Sequence, residues 1–170
     1  MDRKTRALTL SALFAALSIV FLYVASIWPT GQLGFAAAAS LFVAAAVIES
    51  GLGYGLSVYI AGAALGMLLL PNKDPPLLYV LFFGYYPLLK DLVERIRLKP
   101  AQWALKLVVF NAALTVIWYL LKVLVFDFAE TPFGIALLYI GGNAVFTLFD
   151  IGYSKVIRFY TERVHMRSRV

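Results

Sequence analysis

Lys90-Asp91-Leu92-Val93-Glu94-Arg95-Ile96-Arg97-Leu98-Lys99-Pro100 is a charged stretch set between two apolar runs, and that contrast decides the fold. Residues 77–89 before it carry no charge, and neither do residues 107–121 after it. Working outward, the Lys and Arg residues recur in two more groups. Arg3, Lys4 and Arg6 open the chain, and Lys155, Arg158, Arg163, Arg167 and Arg169 close it. With Lys106 in the middle group, thirteen of the fifteen basic residues lie in these three clusters. The intervening turns at 28–33, 71–76 and 127–132 hold one Lys and three acids, Asp74, Asp127 and Glu130. Membrane proteins keep Lys and Arg on the cytoplasmic side. The three clusters therefore predict one shared face, both ends in the cytoplasm and an even number of crossings.

Composition agrees. The 170 residues are 62% hydrophobic and 14% charged, whereas a soluble domain is about half apolar and about a quarter charged. The net charge of +6 flanks apolar spans instead of interleaving with exposed aromatic residues. Anionic headgroups, and not nucleic acid, are the expected partner. There is no Cys and a single His, His165 in the basic tail. That excludes disulfides, thiolate metal sites and a Ser-His-Asp triad within the chain. No phosphate-binding Gly-x-x-x-x-Gly-Lys-Ser/Thr loop is present, so any use of ATP would fall to a partner. No catalytic, metal or cofactor site is expected.

The reading is an all-α integral membrane protein, a single domain of six transmembrane helices at about 7–28, 33–48, 52–70, 77–95, 103–126 and 133–163. The first, at 7–28, has the ~20 residues that a spanning helix requires. The first exceeds the 7–15 residues of a signal-peptide core and is expected to be a retained helix. The sixth is longer than a bilayer needs, and its amphipathic end at 153–164 suits the cytoplasmic interface. The turn Glu49-Ser50-Gly51 carries no Lys or Arg. A re-entrant second and third span is the alternative there.

The first three spans are rich in small residues. Gly51/Gly55 and Gly62/Gly66 are Gly-x-x-x-Gly pairs, and Ala12/Ala16 is an Ala-x-x-x-Ala pair. Small residues four apart share one helix face and admit another helix closely. Packing within the chain is the expectation for the Gly pairs. For Ala12 and Ala16, packing and docking of another subunit both stand.

The later spans carry the polar residues. Asn111 and Asn143 each lie about ten residues into their span, near mid-membrane at ~1.5 Å per residue. They could bond each other or read a ligand. Tyr86, with Tyr85, lies too deep for an interfacial belt, so at least one should face protein or a cavity. Trp118 and Tyr139 suit the outer half. Lys122 either snorkels, pairs with Asp127 or Glu130, or meets an anionic ligand. Asp150 calls for a structural partner among the cytoplasmic basic residues. Lys90/Glu94 and Asp91/Arg95 have the (i, i+4) spacing of helix-end pairs. No ionisable chain crosses the membrane to serve as a proton relay.

The pattern resembles the substrate-binding S components of energy-coupling factor (ECF) transporters. The opening Ala7-Leu8-Thr9-Leu10-Ser11-Ala12-Leu13-Phe14-Ala15-Ala16-Leu17-Ser18 is similar to the start of that family. Glu49-Ser50-Gly51-Leu52-Gly53-Tyr54-Gly55 is similar to its Gly-rich second-to-third helix region. Gly142-Asn143-Ala144-Val145-Phe146-Thr147-Leu148-Phe149-Asp150 resembles its last helix. The resemblance implies capture of a small vitamin-like solute outside a prokaryotic cell membrane. Delivery then involves a membrane T component with two ATPases. It places Ala12 and Ala16 on the docking surface and the pocket in the outer half of the molecule. Tyr86, Asn111, Trp118, Lys122 and Asn143 are the ligand-binding candidates there. Aromatic walls with a few polar groups suit a small planar ligand, and Lys122 suits an anionic one. The rival reading, from another class, is a membrane scaffold of cell-shape machinery of the MreD kind, with no small-molecule ligand.

Overall fold

The computed structural model describes residues 2–125 and 132–165, with side chains described over 2–120 and 134–163. The described residues are helical, with no strand among them. Helix α1 is Arg3–Ile27, and a 3-10 turn at Pro29–Gly31 leads into α2, Gln32–Ser50. Then come α3 at Leu52–Leu69, the short α4 at Asp74–Leu78, a π-helical turn at Tyr79–Phe83 and α5 at Tyr86–Glu94. Two long helices complete the chain, α6 at Lys99–Val125 and α7 at Pro132–Tyr160, followed by a π-helical turn at Thr161–His165. Six helical stretches among the described residues are long and apolar enough to cross a membrane: Arg3–Ile27, Pro29–Ser50, Leu52–Leu69, Asp74–Glu94, Lys99–Leu120 and Gly134–Arg163. They fall on the six runs that hydropathy predicts.

The chain divides into two compact units. The first holds residues 1–92 and 157–170, the second 93–156. In the first unit, the Ala-rich face of α2 forms the centre. Ala36, Ala39, Val43 and Ala46 are buried with Leu22 of α1, Val58 of α3, and Tyr79 and Leu88. Methyl-sized side chains let helix backbones come close enough for direct polar contact. Ser18 of α1 accordingly donates to the Ala39 carbonyl of α2 at 3.0 Å. The turn between α2 and α3 requires Gly51, whose φ of 97° few other residues adopt.

The Gly-x-x-x-Gly spacing is spent inside this unit. A methyl at Gly55 would collide with the Val47 side chain, at Gly62 it would lie 3.1 Å from the Tyr79 hydroxyl, and at Gly66 3.2 Å from Pro76. Lys73 closes the far end of α3, donating at 2.7 Å to the carbonyls of Met67 and Leu70. Those are orphan acceptors at a helix C-terminus, where a cation also suits the helix dipole.

The fourth predicted span, 77–95, is not one regular helix. In the π turn the Gly84 amide bonds the Tyr79 carbonyl at 2.7 Å. Pro87 has no amide proton to continue the ladder. The Tyr59 hydroxyl reaches across from α3 and donates to the Val80 carbonyl at 3.0 Å. Tyr79 itself is fully buried, and among the described residues its hydroxyl oxygen has no hydrogen-bond partner.

Candidate functional site

The second unit is built on an antiparallel seam between α6 and α7. Three polar contacts step along it: Lys106 with Asp150, Asn111 with Asn143, and Thr115 with Tyr139. Positions 111 and 115 on α6, and 139, 143, 147 and 150 on α7, recur at the three- and four-residue spacing that keeps one helix face. Between the charged and amide steps, Phe110 stacks on Phe146 with ring centroids 4.5 Å apart and an interplanar angle of 11°. Gly142 faces Leu114, where an added methyl would sit 3.1 Å away. The small residue allows the helices to close on the amides.

The amide step is saturated. Asn111 Nδ2 donates to Asn143 Oδ1 at 2.9 Å and to the Leu107 carbonyl at 2.8 Å. Asn143 Nδ2 donates to Asn111 Oδ1 at 3.0 Å and to the Tyr139 carbonyl at 2.8 Å. A primary amide has two N–H donors, so all four amide hydrogens are used. Thr115 donates to the Asn111 carbonyl at 2.7 Å, and its oxygen lies 2.7 Å from the Tyr139 hydroxyl. Thr147 donates to the Asn143 carbonyl at 2.8 Å.

The charged step is a cation between two carboxylates. Lys106 Nζ lies 3.0 and 3.2 Å from the two Asp150 oxygens and 2.9 Å from Glu94 Oε1. The Lys106 and Asp150 side chains are 5% and 4% exposed, while Glu94 is 44% exposed. Trp103 lies beneath the ammonium, 5.6 Å from its ring centre. Asp150 thus has the basic structural partner its sequence position calls for, and that partner is Lys106. Glu94 reaches the same ammonium, twelve residues along the chain. Gln102 folds back to donate to the Ile96 carbonyl at 2.7 Å, closing the connection that brings Glu94 to Lys106.

The ligand candidates divide between the units. Tyr86 belongs to the first, where it is fully buried against Phe82, ring centroids 5.2 Å apart. Tyr85 beside it is half-buried. Asn111, Trp118 and Asn143 belong to the second. The two amides are brought together, and Trp118 is half-buried on α6. Lys122 lies in the last turns of α6, but its side chain falls outside the described residues, as do Asp127 and Glu130. Among the described residues, no three His, Cys, Asp or Glu side chains converge as metal ligands.

The docking candidates Ala12 and Ala16 are exposed on α1, on a face that also shows Leu13, Val20, Tyr23 and Ile27. Ser11, Ala15, Ser18, Leu22 and Ala25 form its buried face. Sequence reasoning did not anticipate the contact of Tyr160 with Glu49, hydroxyl to carboxylate at 3.2 Å. Its partners lie 111 residues apart, and no local spacing signals it. No protein-family profile, curated protein or solved structure matches the chain.

Proposed function

We propose that the chain is a multi-pass subunit of a prokaryotic cell membrane, with both termini cytoplasmic, and that it is the substrate-binding S component of an ECF-type uptake transporter. One observation supports the docking half of this reading above others. Gly55, Gly62 and Gly66 of α3 are consumed by packing, yet Ala12 and Ala16 stay exposed on α1. A helix face with two methyl-sized steps four residues apart admits a partner helix at close range. The partner is a T component carrying ATPases. Replacing both alanines with Leu should abolish co-purification with it from native membranes and leave the fold intact, because neither side chain is buried. Unchanged co-purification would remove the docking role.

The charge clusters support the sidedness. Cysteines placed at positions 72 and 168 test it with an impermeant thiol reagent on intact cells. Labelling at 168, or protection at 72, would break the topology.

The ligand in this reading is a small, water-soluble, planar and anionic vitamin-like solute. Its candidate contacts are Asn111, Trp118, Lys122 and Asn143 in the second unit and, separately, Tyr86 in the first. The saturated amide pair and the burial of Tyr86 favour a second reading, a ligand-free scaffold for cell-envelope machinery. Identifying the proteins that co-purify separates the two: ATPases support transport, and cell-wall synthases support the scaffold. A thermal-shift screen of vitamins and nucleobase-like compounds on purified protein addresses the ligand directly.

A further inference from the structure

The turn Glu49-Ser50-Gly51 reverses the chain between two apolar helices without a basic residue to mark its side. The Tyr160–Glu49 contact supplies what the turn lacks. Glu49 is the penultimate residue of α2, so the 3.2 Å contact sets Tyr160 level with the helix end. Arg158 and Arg163 lie two and three residues from Tyr160, within about 5 Å along the helix axis. Both are exposed, and among the described residues neither has a carboxylate within ion-pair distance. Phe159 between them is 59% exposed, and its ring lies 5.5 Å from the Arg163 guanidinium. From 155 to 169 the sequence carries five basic residues, Lys155, Arg158, Arg163, Arg167 and Arg169, against one acid, Glu162.

From this geometry we infer that the end of α7, pinned at the α2–α3 turn, is a docking surface for anionic phospholipid headgroups. The inference rests on the membrane reading above but not on the transport reading. Its physical elements are those of an interfacial anchor. Guanidiniums bind phosphate in a forked geometry, an aromatic ring sits at the acyl boundary, and a hydrogen bond fixes the depth of both. The Glu49 carboxylate is engaged by the Tyr160 hydroxyl. Charge complementarity selects the occupant. A cationic end of a membrane helix meets a leaflet surface that is itself anionic.

The test uses the full chain in nanodiscs of phosphatidylcholine with a rising share of phosphatidylglycerol. Lipids that stay bound after release are counted by native mass spectrometry. Wild type should retain phosphatidylglycerol over phosphatidylcholine. Arg158→Gln/Arg163→Gln should lower that preference about thirtyfold, from the usual gain per basic residue at an anionic surface. Arg158→Lys/Arg163→Lys should fall between wild type and the Gln variant, because it keeps the charge but loses the forked contacts. Arg163→Gln alone, at an exposed site, serves as the variant if the double one folds poorly. Equal retention of both lipids by wild type, or an undiminished preference in the Gln variants, would overturn the inference. Displacement of the lipid by an equal concentration of inorganic phosphate would overturn it too, in favour of free phosphate. Recovery of the wild-type chain outside the membrane fraction would instead sink the membrane reading itself, and this inference with it.

Discussion

Replacing Lys106 with Met isolates the charged step of the α6–α7 seam. Met keeps the length and apolar stem of Lys, so little cavity is left and the change is chiefly one of charge. What remains is the Asp150 carboxylate, 4% exposed, without the ammonium that now sits 3.0 Å away. Removing one partner of a buried ion pair costs roughly 3–5 kcal/mol, because the survivor stays desolvated. Glu94 contributes little to that figure. At 44% exposed it is solvated, and such a pair is worth about 0–1 kcal/mol.

The order of effects is therefore fixed by burial. Lys106→Met should cost most. Asp150→Asn should cost about 1.5–3 kcal/mol, since the ammonium keeps Glu94 and an amide oxygen can still accept. Glu94→Gln should cost under about 1 kcal/mol. Lys106→Met/Asp150→Leu should recover much of the single-variant loss, because apolar replacement of a whole buried pair is close to neutral. The assay is equilibrium unfolding in mixed micelles, followed by circular dichroism, with the four variants measured side by side and Asp150→Leu alone added to close the Lys106/Asp150 double-mutant cycle. If Glu94→Gln costs as much as Asp150→Asn, or if the double variant is no better than Lys106→Met, the burial argument fails.

Three further outcomes follow from the packing. Asn111→Leu and Asn143→Leu should each destabilise the chain, while the double variant costs less than their sum by roughly 0.6–1.7 kcal/mol, the range measured for interhelical hydrogen bonds in membranes. The same cycle readout applies. Gly53→Ala, with nothing within 4 Å of the added methyl, should be neutral or stabilising by up to about 1 kcal/mol. Gly55→Ala should cost about 1–3 kcal/mol through overpacking against Val47, and thermal unfolding distinguishes them. Tyr79→Phe should raise the unfolding temperature, since it deletes a buried hydroxyl whose burial costs about 1–3 kcal/mol when unpaired.

The six helices were legible because the signal is long. An apolar run of some twenty residues bounded by charge survives any local ambiguity. Position along each helix was legible too. Counting residues from the span ends put Asn111 and Asn143 at one level, and the structure joins them. Rotation of each helix about its axis was not legible. In α1, α2, α3 and α6 the apolar residues run all round, since lipid is as apolar as a protein core. Nothing in the sequence could then say that Ala15 faces inward and Ala16 outward. The same gap hid which of the basic residues Asp150 would meet, and it hid Tyr160 with Glu49. The interruption of the fourth helix was half visible in Pro87. The π turn ahead of it is met by Tyr59 reaching across from α3, a tertiary contact that no local pattern encodes.

The amide pair also decides how the two functional readings can be told apart. A micromolar ligand needs about 8 kcal/mol of binding free energy. A ligand that took Asn111 and Asn143 as its readers would first break their two mutual hydrogen bonds. It would regain about as much by bonding the amides itself, so these contacts could orient it but add little affinity. Affinity would have to come from apolar contact elsewhere, with Trp118 the largest candidate on the same helix. Asn111→Leu/Asn143→Leu therefore gives opposite signatures. If the amides only join α6 to α7, the variant loses stability and binds any ligand found in the screen as before. If they read a ligand, binding loses its discrimination among close analogues while Trp118→Ala loses affinity for all of them. An unchanged analogue profile in the first variant would leave the seam as a structural lock and move the ligand-reading role off Asn111 and Asn143.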